Sequence, residues 1–353
     1  MAWGPLSGSS SQVITSAGGP APEYSSGEIG VVDSKTVEIT FTEDVTTTTT
    51  FAAGVTILVG SVSYTISSTN QDGGNNTIRY VLVAGVDGTE AITWAYSESS
   101  GGTNNGGTPL ADVSAQAVTN TAFEPGDLSG TIHWWHVRPS SANGVSGSDA
   151  DAIATWTENA GSVTFDQATA AKKPTLKLAS NGINGLGVLR FDGTDDSMGL
   201  SVISSTLFAT GAKTAWLVIK ISVLGPDAAG WASDTMLGDG YWAAINQTTG
   251  GVGTYNWDGS EDKVFSSASI DTVYVAEMRH ESGTMYASLN GAGEGSTASG
   301  STTSLGNTPN LGGNYVPSVF FDGDIAEIIT SNQAESSGDR ASMRTVLENI
   351  YGV

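Results

Sequence analysis

Thr214-Ala215-Trp216-Leu217-Val218-Ile219-Lys220-Ile221 is the run that decides the fold. Successive side chains of an extended chain point to opposite faces. This run is apolar at both parities until Lys220, so it reads as a strand covered on both sides, and hence a central one. Working outward, Val188-Leu189-Arg190-Phe191 reads as a strand before it, and 273–279 and 284–289 as strands after it. The second of these runs into Asn290-Gly291, a hairpin signal that needs positive φ. Phe320 to Ile329 supplies the last strand. Met343, Val346, Leu347 and Ile350 follow at i, i+3, i+4 and i+7, which predicts a helix with one buried stripe. Ser336 with Asp339 three residues on resembles a capping-box start.

Towards the N-terminus the period changes to two. Val37, Ile39 and Phe41 share one face, with Glu38, Thr40 and Thr42 on the other. Val62, Tyr64 and Ile66 repeat the pattern, as do Ile78, Tyr80 and Leu82, then Ile92, Trp94 and Tyr96. Turn clusters such as 71–76 and Val86-Asp87-Gly88 separate them, so short strands recur about every dozen residues, the spacing of a sandwich. Residues 1–26 are Ser/Gly/Pro-rich and read as a flexible arm. Pro125 and Gly126 punctuate a linker, and seven of the nine tryptophans lie beyond it. The division expected is an arm at 1–26, a sandwich at 27–121, a linker at 122–127 and a second sandwich at 128–353.

Composition narrows the function. The net charge is −23 and both parts of the chain share the excess of acid, so no basic patch is available for a phosphate backbone and nucleic-acid binding is excluded. There is no cysteine, hence no thiolate metal site and no need of an oxidising compartment. No window approaches 18 apolar residues, so no membrane-spanning helix is expected. Met1-Ala2-Trp3-Gly4-Pro5 lacks the regions of a secretory signal, so either a signal lies upstream or the protein leaves the cell another way, of which release by lysis within a phage particle is the simplest.

Two resemblances add to this reading. Val37 to Val45, Gly54-Val55-Thr56-Ile57, Ile92 to Ser97, Leu110-Ala111-Asp112 and Gln116 to Asn120 resemble the immunoglobulin-like repeats of bacterial surface glycoproteins and phage structural proteins, which act as spacers. From Leu128 onward the chain resembles the concanavalin A-like lectin/glucanase superfamily in its laminin-G-type branch. Trp134, Ala154 to Glu158, Phe165 to Thr169, Lys173 to Leu176, Asn181 to Gly185, Val188 to Asp196, Phe321 to Ile328, Arg340, Val346-Leu347 and Ile350-Tyr351-Gly352 carry that likeness in order. The fold class implied is all-β: an immunoglobulin-like sandwich, then a jelly roll of two antiparallel sheets with one C-terminal helix.

The superfamily's glucanases carry a Glu-x-Asp-x-Glu strand, whose alternation sets carboxylates on one face for glycoside hydrolysis. No such triplet occurs. Asp324 and Glu327 have odd spacing and fall on opposite faces of a regular strand, and Glu43-Asp44 and Glu261-Asp262 are adjacent pairs in turns. His133 and His136 likewise face opposite ways on a strand and cannot chelate one ion. The expectation is a chain without enzymatic activity.

Calcium fits better, because hard cations take carboxylate and carbonyl oxygens. Asp192 and Asp195, beside Asp196, follow one strand, and Asp322 and Asp324 lie in the closing one. The superfamily resemblance implies a structural calcium near such positions; the competing reading makes Asp192-Gly193 and Asp322-Gly323 simple turns. For sugars, an aromatic face stacks on a pyranose while polar neighbours take its hydroxyls. Trp231, Asp239, Tyr241, Trp242, Tyr255 and Trp257 form the densest such stretch, against the alternative that Trp242 and Tyr255 are core residues. The function expected is a virion-surface protein of a tailed phage: a capsid decoration, head fibre or tail-fibre component. It would attach to capsid or tail proteins by its N-terminal region, display a glycan-contacting domain, and assemble as a homo-oligomer. The alternatives are a secreted bacterial adhesin and a glycoside hydrolase.

Overall fold

The computed structural model describes residues 21–30, 33–45, 54–71, 76–97, 104–105, 108–138, 145–159, 161–202, 212–223, 244–246, 251–257, 261–298, 310–313 and 320–353. Ten strands come first: β1 (Tyr24–Ile29), β2 (Thr36–Phe41), β3 (Val55–Val59), β4 (Val62–Ser63), β5 (Ile66–Gln71), β6 (Thr77–Leu82), β7 (Ile92–Tyr96), β8 (Asn104–Asn105), β9 (Thr108–Pro109) and β10 (Val113–Asn120). All but the β8–β9 ribbon join one sheet in the order β4-β3-β7-β10-β1-β2-β6-β5.

Its pairings are antiparallel except β1 with β10, which run parallel through Glu28↔Thr119 and Ile29↔Asn120. That pair joins two antiparallel halves whose apolar faces meet in one core of Ile39, Phe41, Ile57, Ile78, Tyr80 and Trp94, among others. The period-two residues of the sequence are therefore the residues that pack. Trp94 stands at the centre, stacked with Tyr24 at 5.6 Å and Tyr96 at 6.4 Å and edge-on to Phe41 at 6.0 Å.

Fifteen strands follow. They are β11 (Ile132–His136), β12 (Thr155–Thr157), β13 (Thr164–Asp166), β14 (Thr175–Lys177), β15 (Val188–Asp192), β16 (Met198–Leu200), β17 (Lys213–Ile221) and β18 (Ala244–Asn246). Then come β19 (Gly251–Trp257), β20 (Glu261–Ser267), β21 (Val273–Glu281), β22 (Thr284–Leu289), β23 (Ala292–Ala298), β24 (Asn310–Leu311) and β25 (Asp322–Ser331). The main sheet has the order β14-β15-β25-β17-β21-β22-β23, with β11 also paired to β25. A second sheet is β12-β13-β16-β24 and a third β18-β19-β20.

β17 lies between β25 and β21, and both its faces are buried, as its composition requires. Ala215, Leu217, Ile219 and Ile221 enter a core with Trp135, Trp156, Phe165, Phe191 and Ile328. Trp216 and Val218 enter another, against α1 (Ser337–Tyr351), which supplies Met343, Val346, Leu347 and Ile350. The Ser336 hydroxyl accepts from the Asp339 amide at 3.1 Å and opens α1; Gly352, at φ 72°, closes it. The fold is nearly all β with a single C-terminal α-helix among the described residues. Because Trp216 is fully buried between sheet and helix, Trp216→Ala is expected to cost about 3–5 kcal/mol, read by urea unfolding.

One departure from regular geometry shapes the interior. Against β17, Val218 pairs with Glu327 and Ile219 with Ile325, so Ala326 is an extra residue in β25. Such a bulge resets the alternation. Ile325 and Ile328 stay in the first core, while Ala326 faces the helix. Asp324 and Glu327, which a regular strand would separate, consequently share the helix side. Each has its own partner there. Arg190 grips Asp324 with two bonds of 2.6 and 2.8 Å, and Glu327 accepts from Trp134 Nε1 and the Tyr351 hydroxyl, both at 2.7 Å.

Candidate functional site

The turn that leaves β15 is Asp192-Gly193-Thr194-Asp195-Asp196. Asp192 Oδ1 accepts from the amides of Thr194 at 2.8 Å and Asp195 at 3.3 Å, which folds the chain back on itself. Gly193 has φ 71°, and a Cβ there would stand 2.8 Å from Cβ of Asp322, so glycine both permits the turn and lets Asp322 approach. Asp322 is the cross-strand partner of Asp192. Asp196 is buried, with Oδ2 accepting from the Asp192 amide at 3.1 Å.

The result is a convergence of charge. Carboxylate oxygens of Asp192, Asp195 and Asp196 lie within 4.8 Å of one another. Among the described residues no Lys, Arg or His forms an ion pair with any of them. Burial, then the charges of Asp192 and Asp195, push Asp196 up to about 6. Burial and the charges of Asp192 and Asp324 push Asp322 up as well. Three hard oxygen donors around one point suit a divalent cation such as calcium, with backbone carbonyls or water completing the shell. Of the four aspartates singled out from sequence, Asp192 and Asp195 are brought together, Asp322 lies beside them, and Asp324 is held by Arg190. Asp196, which the sequence places beside Asp192 and Asp195 after the same strand, joins them in the cluster.

Without a cation, Asp196→Asn is expected to stabilise the protein by about 1–2 kcal/mol at pH 7.5, because it removes a buried like charge. Thermal melts with and without EDTA check this. The same variant should remove any rise in melting temperature that calcium produces in the wild type.

Of the aromatic stretch, Trp231, Asp239, Tyr241 and Trp242 lie outside the described residues. Tyr255 and Trp257 lie two apart on β19, the middle strand of the third sheet; their side chains too lie outside the description. His133 and His136 do face opposite ways: His133 bonds Glu158 at 2.7 Å and stacks on Trp135, while His136 lies against Trp134 at 4.7 Å. Tyr351, Glu327 and Arg138 meet on the helix side of the main sheet. With exposures of 2, 1 and 5%, they leave no room for a substrate, and the constellation is part of the packing.

These features define a β-sandwich protein. No family model matches the chain, and no curated protein matches it. Among solved structures it is similar to the Trypanosoma rangeli sialidase in complex with sialic acid (TM-score 0.43, 11% identity, 62% of this chain and 33% of that one). The same sialidase with 2,3-difluorosialic acid, a covalent intermediate, gives TM-score 0.45 and 12% identity over 69% of this chain and 35% of that one. Domain 4 of AbnA, an extracellular GH43 arabinanase from Geobacillus stearothermophilus, in complex with arabinotriose, is covered completely by 57% of this chain (TM-score 0.35, 12% identity). The chain spans between 32 and 44% of the length of the sialidases it matches.

One expectation is corrected by these neighbours. Sialidases are enzymes, and the reading of the chain as without enzymatic activity does not stand. That reading rested on the lack of an alternating acidic triplet in one strand. Carboxylates assembled from separate strands leave no such mark in a sequence, so its lack excludes one geometry and not hydrolysis. At these TM-scores the likeness assigns no reaction and no catalytic residue to this chain.

Proposed function

We propose that the C-terminal sandwich is a concanavalin A-like, glycan-contacting domain whose rim is organised by a calcium ion at Asp192, Asp195 and Asp196. The observation that carries this reading is the uncompensated convergence of three carboxylates at a surface turn, where a cation would relieve the repulsion. In the sequence, Tyr255 and Trp257 are aromatic residues of the kind on which sugars stack. On this reading the protein stands on a virion surface, a homo-oligomer joined to capsid or tail proteins through its N-terminal region. The net charge of −23 and the lack of cysteine support display at a crowded surface.

The full chain should be screened on a glycan array in calcium and in EDTA, with hits incubated in solution and their products weighed by mass spectrometry. The expected result is binding that EDTA weakens, and that Asp192→Asn with Asp195→Asn abolishes in calcium. Shortened glycan in the product spectrum would make the domain a hydrolase acting on what it binds. Binding indifferent to EDTA would remove the calcium, and a blank array in both buffers would end the proposal.

A further inference from the structure

The loop between β6 and β7 touches the C-terminal sandwich at two places. Arg138, just beyond β11, reaches Asp87 with Nη1 and Glu327 with Nη2 at 3.0 Å, while Glu90 lies 3.8 Å away and the Trp134 ring 5.3 Å below. Asp87 is itself fixed: its Oδ1 accepts from the Thr89 amide at 2.8 Å, and its carbonyl accepts from Asn120 Nδ2 at 2.6 Å. Beside it the Gly85 amide donates to the Asn349 carbonyl in the last turn of α1 at 3.0 Å, and Asn349 Nδ2 donates to the Ser34 hydroxyl at 3.1 Å. A Cβ on Gly85 would stand 3.0 Å from that of Asn349, so the backbones meet directly.

The connection between the sandwiches is tied down as well. Asp127 accepts from the Glu124 amide at 2.9 Å around the short helical turn Pro125–Asp127. Glu335, buried before α1, accepts from the amides of Ser129 at 3.1 Å and Gly130 at 3.0 Å and from the Ser129 hydroxyl at 2.7 Å.

We propose that Arg138 latches the two sandwiches into a single cooperative body, so that the domain with the aspartate cluster is carried at a fixed orientation rather than on a hinge. A guanidinium buried to this degree needs its carboxylates in place, because the cost of removing it from water is offset only by well-aligned partners. Those partners come from both sides. Asp87 and Glu90 belong to the first sandwich and Glu327 to the second, so separation dismantles the set.

Calorimetry and limited proteolysis of the full chain test this. The wild type should melt in one transition and resist cleavage between residues 121 and 131. Asp87→Asn, which leaves the Arg138–Glu327 pair whole, should split the melt in two and speed cleavage there about tenfold, by raising the opened population. Arg138→Met should do the same more strongly. Arg79→Met, which removes a pair with Glu38 on the first sandwich alone, should leave one transition. Two transitions in the wild type would overturn the latch, and so would a single transition with unchanged cleavage in Asp87→Asn.

Discussion

Replacing Glu327 by Leu should lower stability by about 3–5 kcal/mol, measured by urea unfolding at pH 7.5. The loss comes less from the pair itself than from what is left behind. Arg138 keeps its charge in a buried setting with only the carboxylates of the other sandwich, and Trp134 Nε1 and the Tyr351 hydroxyl lose their acceptor. Each orphaned donor costs about 1–3 kcal/mol. Glu327→Gln keeps an acceptor and gives up the charge, so it should fall between the wild type and Glu327→Leu. A loss under about 1 kcal/mol for Leu would mean that water reaches the guanidinium, and the rigid account of this interior would fail.

The second large effect is on acid stability. Burial, and then the positive charge of Arg138, hold His136 down at about 3, with Asp87 and a hydrogen bond with Asn159 pulling the other way. The folded protein therefore keeps this imidazole neutral at pH values where the unfolded chain, titrating near 6.5, takes up a proton. Its contribution is whole above pH 6.5 and declines as the pH falls towards 3. Between pH 6.5 and pH 4 the wild type should lose on the order of 3 kcal/mol more than His136→Gln. Comparison with the variant is the right measure because Glu327, pushed up by burial, responds to acid in the opposite sense. Parallel slopes for the two proteins would show that His136 is hydrated after all.

What could be read beforehand divides by range. Strand faces around Trp94 and Trp216 and the stripe of α1 follow from local periodicity, and the Ser336 cap from one pair of residues. The closeness of the aspartate carboxylates was legible because they are neighbours in sequence. Glu327 was misplaced on its strand because the rule of two assumes no bulge, and Ala326 carries no local sign of one. Asp324 gave no hint that Arg190 would hold it, since that pairing depends on which strands lie side by side. The link from Asp87 to Arg138 and on to Glu327 spans 51 and 189 positions, and only the docking of two sandwiches creates it.

The parallel contact of β1 with β10 bears on mechanics. β1 enters the first sandwich at Tyr24 and β10 leaves it at Asn120, so the chain comes in at one end and goes out at the other. Tension between an anchor near Tyr24 and a load borne by the second sandwich pulls the two strands past each other lengthwise. The bonds around Glu28 and Ile29, including those from the Thr121 amide and hydroxyl to the Ile29 carbonyl, then share the force instead of opening in turn. Under such a pull this parallel contact is loaded in shear along its length.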